Sequence, residues 1–328
     1  MQANNPPSPA PIETAPIAEV VAIPAVFAQL GDYIQASRIQ ANACVGVAAL
    51  PTKLAGYDTL LRFHYVKFDT DHTPKFKNLA VVLAKHVVRY AFSVRSRKEH
   101  ERNIEDMSEG ELFMLARDMF RKVDTSGEVG ELLLFFLLEA VLGLPQVVAK
   151  MELKTNPNDE VKGCDGIHLG WDDKAKELIF YLGEAKLYGQ FSAALDDALA
   201  SITAMNDQGR RPEELTLMTS HFKHLDDTLK NEVFKVATDR SAVGARFVHT
   251  CLIGFDSSMY SKMTADPKAC AAGFLAQYQA RFKRMSDLLD KKLSGYKYKH
   301  LRFEFIFVPF VKVQEFRTAF YAALGGGS

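Results

Sequence analysis

The sequence has few of the features that mark membrane, secreted or zinc-binding proteins. Its four cysteines are scattered over 328 residues with no CxxC pair, which argues against a zinc ribbon or a disulfide framework. No uninterrupted apolar run approaches the roughly 20 residues that a membrane span requires. The first residues have neither a basic n-region nor an apolar h-region. We therefore expect a reduced, cytoplasmic protein that is neither secreted nor inserted in a membrane.

An excess of charge of either sign is also absent, because 40 Lys and Arg balance 40 Asp and Glu. A nucleic-acid partner would then have to be held by a local basic patch. Residues 281–302 contain eight cations against Asp287 and Asp290, with Tyr296 and Tyr298 interleaved. Phosphate contact with aromatic stacking fits this stretch, and a merely solvated helix face fits it equally well. The cations are Arg281, Lys283, Arg284, Lys291, Lys292, Lys297, Lys299 and Arg302.

The N-terminal third of the chain predicts two kinds of structure. Residues 1–16 are rich in Pro, Ala and Asn and too poor in large apolar groups to offset their ordering entropy, so we expect a disordered tail. Residues 25–124 predict a helical and mixed part, with a strand at 60–68 and a helix at 74–93. Pro74 fits the first turn of that helix, where its missing N–H is tolerated.

Residues 125–260 predict a core in the order helix, three strands, helix, strand. The first helix is apolar on nearly every face from Leu132 to Leu142, so we expect it to be buried. The strands are predicted at 146–154, 163–171, 178–187 and 246–255, and the second helix at 191–205. After the core, we expect a C-terminal α/β extension at 261–324, and the closing GGGS at 325–328 has the composition of an appended linker. The fold class is α/β with a mixed sheet flanked by helices.

Two acidic residues converge in the hairpin formed by the second and third core strands. If its polar turn is centred between residues 174 and 175, Asp165 and Glu184 face each other across the strands. Side chains that are directly opposed stand about 4.5–5.5 Å apart at Cβ, and like charges there destabilise a sheet unless something neutralises them. A bound divalent cation is the obvious neutraliser.

The chemistry of this pair suits phosphodiester hydrolysis. Two carboxylates, with the backbone carbonyl of Ala185 between Glu184 and Lys186, suit Mg²⁺, with Mn²⁺ as a substitute. The cation polarises a phosphate and lowers the pKa of a bound water, while the Lys186 ammonium places that water or stabilises developing charge. In the alternative interpretation, Glu184 and Lys186 are ordinary surface partners at a solvated strand end.

A third acid should come from the helix that precedes the strands. Glu128 and Glu131 lie three residues apart in its first turn and so share one face. Acids at that position also stabilise a helix N-terminus electrostatically, which is the competing explanation for both. Glu139 lies deeper in the apolar helix and would need a partner if buried. We prefer Glu131 as the metal ligand, with Glu128 second.

The segments GEVGELLLFFLLE, KMELKTN, VKGCDGIHLG and LGEAKLYG together resemble the PD-(D/E)XK nuclease superfamily, and more specifically the HamA subunit of Hachiman anti-phage defence systems. The resemblance implies a restriction-endonuclease-like αβββαβ core and a metal-dependent DNA endonuclease. By it, Asp165 is the motif aspartate, Glu184 and Lys186 are the ExK pair, and Glu131 is the helix acid. Cys164 stands where the motif has proline, a position that performs no chemistry.

The resemblance also implies a partner, since HamA proteins act with HamB, a helicase. This chain contains no GxxxxGK[ST] phosphate loop and no GxGxxG after a strand, so we expect no ATP hydrolysis by the chain itself. An alternative function is a non-catalytic regulator of the same fold docked on a helicase. The retained acid pair and Lys186 argue against that alternative.

Overall fold

A computed structural model describes residues 37–92, 108–120, 127–148, 151, 164–207, 244–260 and 270–325. The predicted tail at 1–16 and the last three residues of the predicted linker lie outside the described residues. Within the described ranges, no helix combines the length and the apolar character needed to cross a membrane.

Seven strands form one mixed sheet in the spatial order β1-β2-β7-β6-β5-β4-β3. The four neighbours β2, β7, β6 and β5 run parallel, while β1, β4 and β3 are antiparallel to their neighbours. The strands are β1 (Val45–Lys53), β2 (Thr59–Val66), β3 (Gln146–Val148), β4 (Gly166–Asp172), β5 (Glu177–Tyr188), β6 (Gly244–Asp256) and β7 (Phe303–Phe310). The predicted mixed sheet is therefore confirmed.

Helices cover both faces of this sheet. They are α1 (Phe76–Lys85), α2 (Val87–Ala91), α3 (Glu109–Asp118), α4 (Glu128–Phe136), α5 (Phe191–Asp207), α6 (Cys270–Ser294) and α7 (Val313–Ala323). Residues 37–44 are also helical. The core on one face takes its helical side chains from α1 to α4 and from α7, and the core on the other face takes them from α5 and α6. Central strand β7 is buried along its whole length, as a parallel strand covered on both faces should be.

The buried helix ends in an unusual way. α4 continues directly into one turn of π-helix, Leu137–Val141, and the chain then leaves the helix at Gly143, whose φ of 74° is in the left-handed region that favours glycine. Gly130 lets α4 lie close to β5, because a Cβ at that position would stand 3.2 Å from Leu187 Cγ. The prediction that Leu132 to Leu142 form a buried helical segment is confirmed in its main part.

The order helix, three strands, helix, strand predicted for the core is the observed order of α4, β3, β4, β5, α5 and β6. Of the first predicted strand, 146–154, β3 covers 146–148, Met151 is in a 3₁₀ turn and not in a strand, and 149, 150 and 152–154 lie outside the described residues. In the C-terminal extension the predicted helix, strand and helix are found as α6, β7 and α7.

The N-terminal part differs from the prediction in two ways. β1 was not expected, because its small residues and its proline give a weak strand pattern. The single helix predicted at 74–93 is two helices that meet at His86. Pro74 lies outside the first helical turn, since it forms an isolated β-bridge with Phe68.

One sheet takes strands from all three of the predicted parts at 25–124, 125–260 and 261–324. β1 and β2 come from the first part, β3 to β6 from the second and β7 from the third. β7 lies between β2 and β6. The N-terminal part and the C-terminal extension therefore add strands to the same sheet as the predicted core. The division along the chain itself stays a prediction.

Candidate metal and catalytic site

The register of the β4–β5 hairpin is the one predicted from its turn. Gly166 pairs with Gly183 and Asp172 pairs with Glu177, with every intermediate pair in step. Asp165 is the next residue before β4, and its backbone N–H donates to the Gly183 carbonyl at 2.8 Å. Asp165 therefore extends the pairing just beyond the strand, next to Glu184.

The Asp165 carboxylate lies against the edge of β5. Its Oδ2 accepts a hydrogen bond of 2.7 Å from the backbone N–H of Ala185, the middle residue of the ExK motif. This bond fixes the carboxylate beside Glu184 and Lys186, since a short bond from a backbone amide to a charged acceptor is a strong one.

Strand alternation divides the ExK motif between the two faces of the sheet. Ala185 and Leu187 belong to the core under α4. Glu184 and Lys186 are in register with Cys251 and Ile253, which belong to the core on the opposite face, under α5. The two charged groups therefore face α5, and the helix that carries Glu128 and Glu131 packs on the other face.

Glu184 is 9% exposed, and its surroundings oppose its ionisation. Burial, followed by the negative charge of Asp165, raises the pKa of Glu184 to about 7. Lys186 lowers this pKa, with Nζ 3.0 Å from Glu184 Oε1, and a side-chain hydrogen bond with Ser201 also lowers it. These two partners do not offset burial and the neighbouring acid.

Lys186 lies between two carboxylates. Its Nζ is 2.8 Å from Oδ2 of Asp197 on α5, as well as 3.0 Å from Glu184. Burial alone would lower the pKa of Lys186, but the two acids outweigh it and raise that pKa well above its usual value. Lys186 is therefore a permanent cation at neutral pH.

The sequence reasoning missed Asp197 and Ser201. They lie four residues apart on α5 and so share a face, at the border of the apolar stripe that α5 buries. The sequence signal that could have indicated Asp197 is an acid beside the apolar stripe of the helix that directly follows the ExK strand. Local pattern alone does not show which residue of another element such an acid meets.

The helix acids lie on the α4 side of the site, near Tyr90. The buried Tyr90 hydroxyl donates to Glu131 Oε2 at 3.0 Å, and Glu128 is also buried. Burial, then Glu131, Asp165 and Glu128, raise the pKa of Tyr90 well above its usual value. Asp165 is thus within electrostatic range of both the helix acids and Glu184.

Glu139, the third candidate for the helix acid, has contacts that stabilise the fold. Its Oε2 is 3.0 Å from Arg89 Nη2, and its Oε1 accepts a 2.9 Å bond from the backbone N–H of Gln146. The partner that its burial requires is therefore present, and its two oxygens tie the π-helix to α2 and to the start of β3.

The described residues contain no group of three or more His, Cys, Asp and Glu side chains arranged to hold a metal ion. Mg²⁺ does not need such a group, because it keeps several waters and binds through one or two carboxylates together with substrate phosphates. Asp165 and Glu184 supply two adjacent carboxylates. A divalent cation would relieve their repulsion, which adds to burial in raising the pKa of Glu184. The residues present therefore fit a hard divalent cation.

Half of the eight cations in the predicted basic stretch form ion pairs within the protein. Lys283, Lys292, Lys297 and Arg302 form ion pairs with Asp287, Asp196, Asp207 and Asp58, respectively. Both tyrosine hydroxyls donate hydrogen bonds to α5. Tyr296 donates to the Leu199 carbonyl, and Tyr298 donates to the Asp207 carboxylate. This arrangement favours the solvated-face interpretation over a dedicated phosphate site.

Comparison with known proteins gives one assignment. The HamA family model matches residues 50–324, well over half of the chain and every strand of the sheet from β2 onwards. No curated protein matches the sequence. The chain therefore belongs to the HamA family, which gives it a role in Hachiman anti-phage defence, a system of more than one component.

Proposed function

We propose that this chain is a metal-dependent DNA endonuclease with a site of the PD-(D/E)XK type, acting as the effector of its defence system. Asp165 and Glu184 hold Mg²⁺, or Mn²⁺ in its place, and Lys186 lies beside them. The observation that carries the proposal is the acid pair across β4 and β5, in which the β4–β5 register and the hydrogen bond from the Ala185 N–H place the Asp165 carboxylate beside Glu184. Burial, and then Asp165, raise the pKa of Glu184. Perturbed ionisable groups of this kind concentrate at functional sites.

Each residue has a distinct task in hydrolysis. When bound, the divalent cation polarises the scissile phosphate and lowers the pKa of an attacking water. Asp165 and Glu184 supply the negative charge that retains the cation. Lys186 keeps its proton, as the direction of its pKa shift requires, so it orients the water and stabilises charge on the phosphorane instead of acting as a general base.

We propose that the helix acid is Glu131, with Glu128 as the alternative, although the described residues do not bring either of them into one metal-binding group of three with Asp165 and Glu184. Both lie on α4, and both raise the pKa of Tyr90, as Asp165 does. Glu131 has the better defined position because the Tyr90 hydroxyl holds its carboxylate. A carboxylate that is itself hydrogen-bonded is typical of metal sites.

We further propose that a HamB-type helicase controls access of this nuclease to DNA. The sequence has no phosphate loop of its own, so ATP-driven sensing of DNA would have to come from a partner. With such a substrate and partner, we propose that the protein acts in the cytoplasm.

Plasmid cleavage tests the proposal. The protein, alone and with its partner, should cut plasmid DNA in Mg²⁺ or Mn²⁺, and Lys186→Ala should reduce the rate by about 10²–10³-fold, the usual cost of removing one charge-stabilising group. Lys292→Ala is the matched control, since Lys292 pairs with Asp196 on the surface of α5. Equal cleavage by the K186A variant would refute the assignment of Lys186.

Calorimetric titration with Mn²⁺ separates the nuclease from the non-catalytic alternative. A nuclease site binds the ion, and Glu184→Gln weakens that binding. A protein that neither cuts DNA with its partner nor binds Mn²⁺ would instead be a regulator of the same fold.

A further inference from the structure

Two groups contact the Asp197 carboxylate at the end of β5. Lys186 Nζ lies 2.8 Å from Asp197 Oδ2, and the Tyr188 hydroxyl donates to the same oxygen at 2.8 Å. One turn further along α5, Ser201 hydrogen-bonds Glu184. One face of α5 therefore contacts both charged residues of the ExK motif.

Glu184 has two competing uses in the proposed site. One of its oxygens, Oε1, contacts the Lys186 ammonium at 3.0 Å, while the proposed function requires the same carboxylate to bind a divalent cation. A second positive charge at Glu184 repels the ammonium and weakens its contact there. Lys186 then needs another anion to keep its position.

We propose that Asp197 is the positioning residue for Lys186, holding its ammonium beside the reaction site once Glu184 serves the metal. The inference rests on the proposed nuclease function. Asp197 itself touches neither metal nor DNA in this scheme. It acts through the ion pair with Lys186 and is oriented by the hydroxyl of Tyr188.

Lys186 is the more buried partner of this ion pair, since the Asp197 side chain is 42% exposed. The Lys186 side chain is 20% exposed, so its ammonium depends on nearby anions more than a solvated lysine does. The carboxylate sits on a 17-residue helix packed against β5 and β6, which gives it a fixed position relative to the site.

The neighbouring residue provides a matched control. Asp196 has the same charge on the same helix but pairs with Lys292 of α6, away from the ExK motif. Asp196→Asn and Asp197→Asn therefore make the same chemical change, and only the second removes a partner of Lys186.

Steady-state cleavage of a DNA substrate is the first measurement. Asp197→Asn should lower kcat by about 10- to 100-fold with KM for DNA unchanged, because the lost positioning acts on the reacting state. Asp197→Glu should recover part of that loss, and Asp196→Asn should match the wild type. Thermal melting identifies any variant that fails to fold.

Calorimetric titration with Mn²⁺, in the absence of DNA, is the second measurement. In the D197N variant, Lys186 keeps only Glu184 as a partner and competes with the ion, so Mn²⁺ binding should weaken several-fold. In a Lys186→Ala background, Asp197→Asn should have little further effect, because the competing ammonium is gone.

The outcomes separate this inference from the proposed function. If the wild type binds Mn²⁺ and cuts DNA but the D197N variant equals it in both assays, Asp197 has no positioning role. The inference is also overturned if Asp197→Asn weakens Mn²⁺ binding equally with and without Lys186, because only its negative charge then matters. A wild type that shows neither activity overturns both proposals.

Discussion

Two buried glutamates, Glu139 and Glu184, lie in different regions of the molecule and differ in one neighbour. Both are nearly inaccessible, at 2% and 9% exposed, and both face a cation at 3.0 Å. Glu139 has a backbone amide as its second partner. Glu184 has Asp165, an acid, near it, and its pKa is raised to about 7.

The comparison shows how a buried acid that serves the fold differs from one suited to a ligand. Burial of a carboxylate is tolerated when a cation and a hydrogen-bond donor satisfy it. Glu139 meets that condition with groups of this chain alone. Glu184 has Lys186 and Ser201 as partners of the same two kinds, but burial and Asp165 outweigh them, so a further positive charge would stabilise it.

Glu139→Gln should cause the largest loss of stability. The change leaves the Arg89 guanidinium in a largely buried place without its 3.0 Å carboxylate partner. Breaking a buried pair on one side costs about 3 kcal/mol or more of unfolding free energy. Urea denaturation followed by circular dichroism measures it. Cleavage by the folded E139Q variant at low temperature should remain near wild type, and a loss of cleavage there would remove the distinction between the two glutamates.

Glu184→Gln should have the opposite effect on stability, in a pH-dependent way. Because the folded pKa, about 7, exceeds the ordinary value of 4.5, the folded state binds this proton more tightly than the unfolded state. Ionisation therefore destabilises the wild type as pH rises from about 4.5 to 7, by roughly 2–3 kcal/mol in total. The E184Q variant should match the wild type at pH 5 and exceed it at pH 8 in thermal melting.

Mn²⁺ should reverse the order of these two proteins. The ion binds only the folded site, so it raises the melting temperature of the wild type and leaves the E184Q variant nearly unchanged. An E184Q variant less stable than the metal-free wild type at pH 8 would mean that Lys186 satisfies Glu184, as Arg89 satisfies Glu139.

The geometry around Glu184 was predictable from sequence to the extent that strand rules determine it. A short polar turn sets the register, and the register brings Asp165 beside Glu184. Alternation then places Glu184 and Lys186 on one face. These rules concern local geometry, so they can be applied to a single sequence.

Contacts between distant elements were not predictable in the same way. Asp197 meets Lys186 because α5 packs on a particular face of β5, a result of the whole core. The same limit applies to the helix acids, since Glu128 and Glu131 share a helical face and the hydrogen bond that favours Glu131 comes from Tyr90, on another helix. β1 was missed because its small residues have little intrinsic strand preference and form a strand by pairing with β2.

Tyr90→Phe tests the side of the site where Glu131 lies, and its expected effect is the smallest. The change removes the hydroxyl that donates to Glu131 Oε2 at 3.0 Å, so the unfolding free energy should fall by about 1.5–3 kcal/mol, as for hydrogen bonds to charged groups. Tyr278→Phe is the control, because that buried hydroxyl donates at 3.2 Å to the Phe307 carbonyl, a neutral acceptor. If Glu131 is the helix acid, Tyr90→Phe also weakens Mn²⁺ binding several-fold by releasing a ligating carboxylate from its donor, whereas Tyr278→Phe does not. An unchanged Mn²⁺ affinity in the Y90F variant would assign the role of helix acid to Glu128, and Glu131 would then resemble Glu139 as an acid that serves the fold.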